Sequence, residues 1–155
     1  MNVTRRSFLK GSGGAAVMAL AASAGLIKLE PVYAAWNEAA FKTKTLNDTV
    51  KALGGQAAVE SKDIQINSPD IAENGAVVPI SVTSKMGNTE SIAILVEKNP
   101  NARSANFVIP AGTEAFVSTR VKMGQTSNVT ALVKADGKYY YSTKEIKVTL
   151  GGCGG

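Results

Sequence analysis

The sequence predicts an all-β fold: two antiparallel sheets packed as a sandwich, with a short helical segment before them and a glycine-rich arm after them. Three observations carry that expectation. Apolar residues alternate with period two from Ile64 onward, as they do in strands with one buried face. Turn signals fall at intervals of about ten residues between those runs. Hydrophobic residues make up 45% of the 155-residue chain, enough for a packed core.

The first 34 residues read as an export leader. Residues 4–10 are TRRSFLK, with Arg5 and Arg6 adjacent and Phe8-Leu9-Lys10 behind them, a pattern that resembles the twin-arginine signal. An uncharged run of glycine, alanine and aliphatic residues follows from Gly11 to Ile27, moderately apolar as a secretory core region is. Val32-Tyr33-Ala34 places small residues at the −3 and −1 positions, so cleavage is expected after Ala34, leaving no stable membrane association. The resemblance implies the bacterial periplasm as the destination, reached by the twin-arginine route.

Residues 35–63 form an N-terminal helical segment and link. Ala39, Ala40, Val50 and Leu53 give partial helical spacing, Thr45 or Asn47 can cap the second half, and Gly54-Gly55 is a C-terminal stop. Val59 to Asp63 reads as a plain link. Trp36 either anchors a partner or covers one end of the body.

Residues 64–150 carry the strands. Val78, Ile80 and Val82 alternate with Val77, Pro79 and Ser81; Ile92, Ile94 and Val96 alternate with Ala93 and Leu95; Val129, Ala131 and Val133 alternate with Thr130 and Leu132. Ile146, Val148 and Leu150 form the cleanest run and read as the last strand. Asp136-Gly137 fits a tight hairpin with positive φ. Asn74-Gly75, Met86-Gly87-Asn88 and Asn99-Pro100-Asn101 mark further turns. Pro79 points to an edge strand or a bulge, because it donates nothing to a ladder. Seven or so short strands over about 100 residues suggest an immunoglobulin-like β-sandwich, with a small antiparallel barrel as the other architecture. Tyr139, Tyr140 and Tyr141 are either partner-interface residues or strand residues whose rings point alternately in and out.

Composition narrows the chemistry. The formal net charge of +5 lies mostly in the leader, which holds Arg5, Arg6, Lys10 and Lys28 against Glu30; the rest is near balance. No basic stripe interleaved with aromatics remains for nucleic acid. Histidine is absent and there is one cysteine, so this chain alone cannot build an N/S metal site. No Ser-His-Asp set, phosphate loop or paired-carboxylate site stands out, so no catalytic residue, metal ligand or cofactor is assigned.

That one cysteine, Cys153, sits between two pairs of glycines in Gly151-Gly152-Cys153-Gly154-Gly155. Four glycines make a flexible thread of minimal width, able to enter clefts that reject ordinary side chains. Ordering each residue of it in a cleft costs about 1–2 kcal/mol, so engagement through the tail alone is weak and reversible. In an oxidising compartment an unpaired cysteine either cross-links molecules or serves as a reactive thiol. The nearest residues offer no cation, and a carboxylate two residues on disfavours the thiolate. The thiol is therefore expected near or above the free-cysteine value of about 8.5. This suits a carrier group deprotonated by the proteins that receive it. A folded partner lacking its own signal is expected to travel with the chain.

Leader, sandwich and GGCGG together resemble the SoxY family, sulfur-carrier subunits of the periplasmic SoxYZ thiosulfate-oxidation complex. The terminal motif matches residue for residue, and Trp36 to Val82 looks like the family's N-terminal half. The resemblance implies a non-enzymatic carrier that forms a heterodimer, or a higher oligomer, with a SoxZ-like sandwich subunit. It implies that Cys153 is joined oxidatively to thiosulfate by a c-type haem enzyme, SoxXA. A dimanganese hydrolase, SoxB, would then release sulfate, and a molybdenum–haem dehydrogenase, SoxCD, would act on the remaining sulfur where present. The metals belong to those transient partners. Two other classes compete: a structural sandwich subunit using Cys153 for intermolecular disulfides, and a donor activated as a terminal thiocarboxylate, which needs cytoplasmic chemistry.

Overall fold

A computed structural model describes residues 38–149. The leader and its cleavage site, Arg5, Arg6, Trp36, Leu150 and the segment Gly151 to Gly155 with Cys153 lie outside the described residues.

Among the described residues two short helices come first, α1 (Glu38–Phe41) and α2 (Leu46–Ala52). Thr45 is the N-cap of α2: its side chain accepts from the Asp48 amide at 3.1 Å, satisfying one of the free first-turn donors. At the other end Gly54 takes φ +82°. Its amide donates to Lys51 at 2.9 Å, and the Gly55 amide donates to Val50 at 2.9 Å. This pair of bonds closes the helix in a Schellman motif.

Nine strands follow: β1 (Ala58–Glu60), β2 (Ile64–Asn67), β3 (Ile71–Ala72), β4 (Val78–Ser84), β5 (Thr89–Val96), β6 (Arg103–Val108), β7 (Phe116–Val121), β8 (Ser127–Ala135) and β9 (Lys138–Val148). The larger sheet has the order β1-β9-β8-β5-β6, with β3 also paired to β9; the smaller is β2-β4-β7. Ile64, Val78, Ile80, Val82, Val117 and Val121 of the small sheet share one buried cluster with Ile92, Ile94, Val96, Val129, Ala131, Val133 and Ile146 of the large one. These are the alternating residues of each run, packed face to face as in a sandwich.

The architecture is all-β with one correction. The larger sheet is mixed rather than wholly antiparallel, because β1 and β3 both pair in parallel with β9; the smaller sheet is antiparallel throughout. Val59, expected in a link, lies inside β1. Three residues are too few to show a period.

The outer face of the large sheet carries a second buried cluster, in which Val50 of α2 meets Ala93, Leu95, Leu132 and Tyr139. Strands β5 and β8 are thus covered on both faces, which is why Ile92–Val96 reads as a continuous apolar run. The tyrosines are packed on both faces. Tyr139 and Tyr141 join the helix-side cluster and Tyr140 packs on the main core, in accord with ordinary strand packing. The Tyr139 hydroxyl donates to the Leu53 carbonyl at 3.1 Å.

Pro79 is not on an edge strand, since β4 is the middle strand of its sheet, nor does its pairing with β7 show a bulge. Its neighbour β2 stops at the pair Asn67–Ser81, so at Pro79 the side of β4 that faces β2 is open. The strand is central, but the position is locally an edge. The hairpin is as expected: Asp136 and Gly137 take φ +49° and +72° between the paired residues Ala135 and Lys138, the two-residue loop that suits sheet twist. Glu90 holds it, accepting from the Gly137 amide at 2.7 Å and pairing with Lys134 at 2.6 Å. That contact draws the Glu90 carboxyl below its ordinary range, chiefly through the Lys134 hydrogen bond.

Candidate functional site

The candidate site residues Cys153, Gly151, Gly152, Gly154 and Gly155 lie beyond the last described residue, Thr149. The structure describes what the segment grows from. Strand β9 is the longest of the described strands at 11 residues, and β8 pairs with it along most of that length. Ile146 near its end is fully buried, so the last strand is fixed by the main core.

The end of β9 is held on both sides. On one side, the Val148 amide donates to Thr126 Oγ1 at 3.0 Å. On the other, the two-residue strand β3 runs alongside, Ile71 beside Lys147 and Ala72 beside Val148. The Lys147 amide donates to the Asp70 carbonyl at 2.9 Å, and the Thr149 amide donates to the Ala72 carbonyl at 3.1 Å. Ala72 is buried in the main core, which keeps β3 against the sheet and leaves Ile71 facing outward, 56% exposed.

The approach to β3 is tied down by one side chain. Lys144 donates to the Ser68 carbonyl at 2.6 Å and pairs with Asp70 at 2.9 Å. The Lys144 ammonium holds the Asp70 carboxyl below its ordinary range, first through the hydrogen bond and then through charge. Sequence reading missed β3, Thr126 and the Lys144–Asp70 pair. Two residues carry no periodicity, and Asp70 and Lys144 are too far apart in sequence to be matched by spacing. The available signal was Ser68-Pro69-Asp70, a turn whose chain had to return somewhere.

Among the described residues no three histidine, cysteine or acidic side chains lie together as a metal site would require. No helix among them is long and apolar enough to cross a membrane.

These features define a class: a small β-sandwich protein whose last strand is collared on both edges four residues before a glycine-flanked cysteine. Comparison with known proteins places it more narrowly. A family model described as sulfur oxidation protein SoxY matches residues 50–153. A twin-arginine translocation pathway signal matches residues 2–25. Among solved structures, the sulfur carrier protein SoxY from Chlorobium limicola f thiosulfatophilum is similar at 37% identity and a TM-score of 0.62, over 68% of this chain and 96% of that one. A superoxide reductase (neelaredoxin) from Ignicoccus hospitalis is similar at 16% identity and a TM-score of 0.49, over 56% of this chain and 79% of that one. No curated protein matches. The chain belongs to the SoxY family of sulfur oxidation proteins, and its leader directs it by the twin-arginine route to the periplasm.

Proposed function

We propose that this protein is a non-enzymatic carrier of sulfur intermediates, and that Cys153 is the attachment atom. The observation that carries the reading is the extent of the family match, which runs through the sandwich and ends on Cys153 itself. The 37% identity to a sulfur carrier supports it. The corresponding division is a leader over residues 1–34, a helical segment over 35–63, an immunoglobulin-like body over 64–150 and a swinging arm over 151–155.

The arm presents the thiol and the partners perform the chemistry. In the first step the Cys153 thiol and thiosulfate lose two electrons and one proton and form an S–S bond, giving the protein-bound S-thiosulfonate. A c-type haem enzyme of the SoxXA type takes the electrons. In the second step water attacks the terminal sulfone sulfur and the S–S bond to it breaks. Sulfate and two protons leave, and a persulfide anion stays on Cys153. A SoxB-like hydrolase performs this step, and a SoxCD-like dehydrogenase oxidises the persulfide sulfur where it is present. Arm residues of minimal width suit delivery into several clefts. A SoxZ-like sandwich subunit completes the carrier as a heterodimer.

Intact-mass measurement of the mature periplasmic protein from thiosulfate-grown cells tests the reading. Added masses of sulfur or of thiosulfate on the peptide containing Cys153 are expected, and their loss in Cys153→Ser. A covalent dimer through Cys153 with no such adduct would overturn it in favour of a structural subunit.

A further inference from the structure

Strand β6 forms an outer edge of the larger sheet, and no described strand lies beyond it. Its bonds to β5 fix which backbone groups are already used. The Ile109 amide donates to the Glu90 carbonyl at 2.9 Å, and the register runs on through Phe107 beside Ile92 and Ala105 beside Ile94. Bonded residues alternate along an antiparallel ladder, so Ala105, Phe107 and Ile109 face β5, while Asn106 and Val108 turn their N–H and C=O groups outward. This free edge is sharply bounded. The register shift places a bulge at Ser104, and Pro110 follows Ile109 with no N–H to offer. An added strand can therefore pair only along Ala105 to Ile109.

The edge lacks the usual guards. Exposed edge strands ordinarily carry charges, lysine above all, that discourage pairing. Ala105 to Ile109 carries none, and the one charge of β6, Arg103, is only 4% exposed and lies against the Phe41 ring. The other outer strands differ. β1 and β7 carry Glu60 and Arg120, and β2 and β3 are four and two residues long. The window also leaves apolar surface unburied: Ala105, Phe107 and Ile109 pack only partly against the main core, and Val108 is 75% exposed.

We propose that the free edge of β6 is a self-docking surface, on which a second copy of this chain lays its own β6 antiparallel by strand addition. The window is self-complementary about Phe107. Pairing it with itself sets Phe107 beside Phe107 of the second copy in a close, non-hydrogen-bonded pair, where aromatic side chains stabilise a sheet. Ala105 then faces Ile109, small against large, on both sides of the two-fold axis. Asn106 faces Val108, and these pairs exchange the outward backbone bonds. No like charges meet. The larger sheets of the two copies become one, with β9 and its mate seven strand spacings apart, about 34 Å. The pairing goes beyond the carrier reading, needs no disulfide, and sets two separate carriers side by side.

Sedimentation equilibrium of the mature chain in reductant, alone and with its SoxZ-like subunit, tests this. The chain forms a dimer with a Kd of about 100 μM or tighter, modest because the contact is small, and Cys153→Ser shows the same equilibrium. Two double variants of the exposed pair separate self-pairing from other causes. Asn106→Lys with Val108→Lys puts like charges opposite each other across the axis and weakens the dimer by about tenfold or more. Asn106→Asp with Val108→Lys puts opposite charges there and keeps the Kd within about threefold of the wild type. Both retain the wild-type unfolding midpoint, since the changed side chains are exposed. Amide exchange at Asn106 and Val108 slows as protein concentration rises. A wild-type chain that stays monomeric at about 1 mM, or equal dimerisation of the two double variants, overturns the proposal. So does loss of the dimer on adding the SoxZ-like subunit with protection of Asn106 and Val108 retained, which would give the edge to that subunit.

Discussion

The ring of Tyr139 occupies the space that a side chain on residue 55 would need. A β-carbon placed on Gly55 would lie 2.5 Å from Tyr139 Cδ2 and 2.8 Å from Val50 Cγ1. Gly55 therefore closes α2 and also admits the aromatic ring that seals the helices onto the sheet.

Gly55→Ala is expected to lower the unfolding free energy by about 1–3 kcal/mol through overpacking. Denaturant unfolding at unchanged m-value reads this directly. In a Tyr139→Leu background the same substitution should cost clearly less, since the colliding ring is gone. Gly54→Ala offers a contrast. Nothing lies within 4 Å of a β-carbon there, but φ is +82°, so its cost is backbone strain alone and Tyr139→Leu should leave it unchanged.

The helical segment has a second anchor. The Arg103 guanidinium lies 3.7 Å from the centroid of the Phe41 ring and the residue is only 4% exposed. Burial lowers the Arg103 pKa from its ordinary value, so the ring's negative face stabilises a charge that has lost water. Phe41→Leu keeps apolar volume but removes the π face, and should cost about 1–2 kcal/mol. Phe41→Trp, which strengthens such contacts, should retain most of the stability. Equal losses in the two variants would assign the contact to packing instead.

The collar at the end of β9 is expected to depend on pH. The Asp70 carboxyl is held below its ordinary range by Lys144. A carboxyl with a depressed folded pKa contributes its stabilisation above the unfolded value, about 3.9 for aspartate. That contribution is lost as pH falls through the lower folded value. Amide exchange at Lys147 and Thr149, whose N–H groups bond to Asp70 and Ala72, should accelerate relative to the core below about pH 4. In Asp70→Asn the acceleration should already be present at neutral pH and show no step on acidification. A wild-type profile parallel to that of buried Val133 would show that the pair does not hold the strand.

Much of this was legible in the sequence because one face of each long strand is apolar. Ile80, Ile92, Ile94, Val129 and Val133 lie in the core cluster that period-two reading assigned them. Thr45, Gly54 and Asp136-Gly137 were readable because each meets a local backbone need. The parallel partners of β9 were not legible, because β1 and β3 are shorter than any periodic signal and are placed by what β9 leaves unpaired. Pro79 misled because strand edges are local, and β2 ends before reaching it. At the candidate site the cysteine could be seen in sequence, while the collar could not. Its bonds join residues such as Ala72 and Thr149 through backbone atoms that every residue type carries.

Glycines on both sides of Cys153 supply neither a cation nor a base, so the rate of its alkylation in the isolated carrier should rise with pH to a midpoint at or above about 8.5. A midpoint below neutrality would mean that the body activates the sulfur, and the carrier would no longer be passive. With a midpoint that high, only a few per cent of the thiol is thiolate at about pH 7, and the receiving protein must remove the proton. The acceleration an acceptor gives should therefore be greatest at low pH, where the free thiolate is scarcest, and should shrink as pH approaches the midpoint. A constant acceleration across that range would place proton removal outside the acceptor, and the base would have to be sought on the carrier itself.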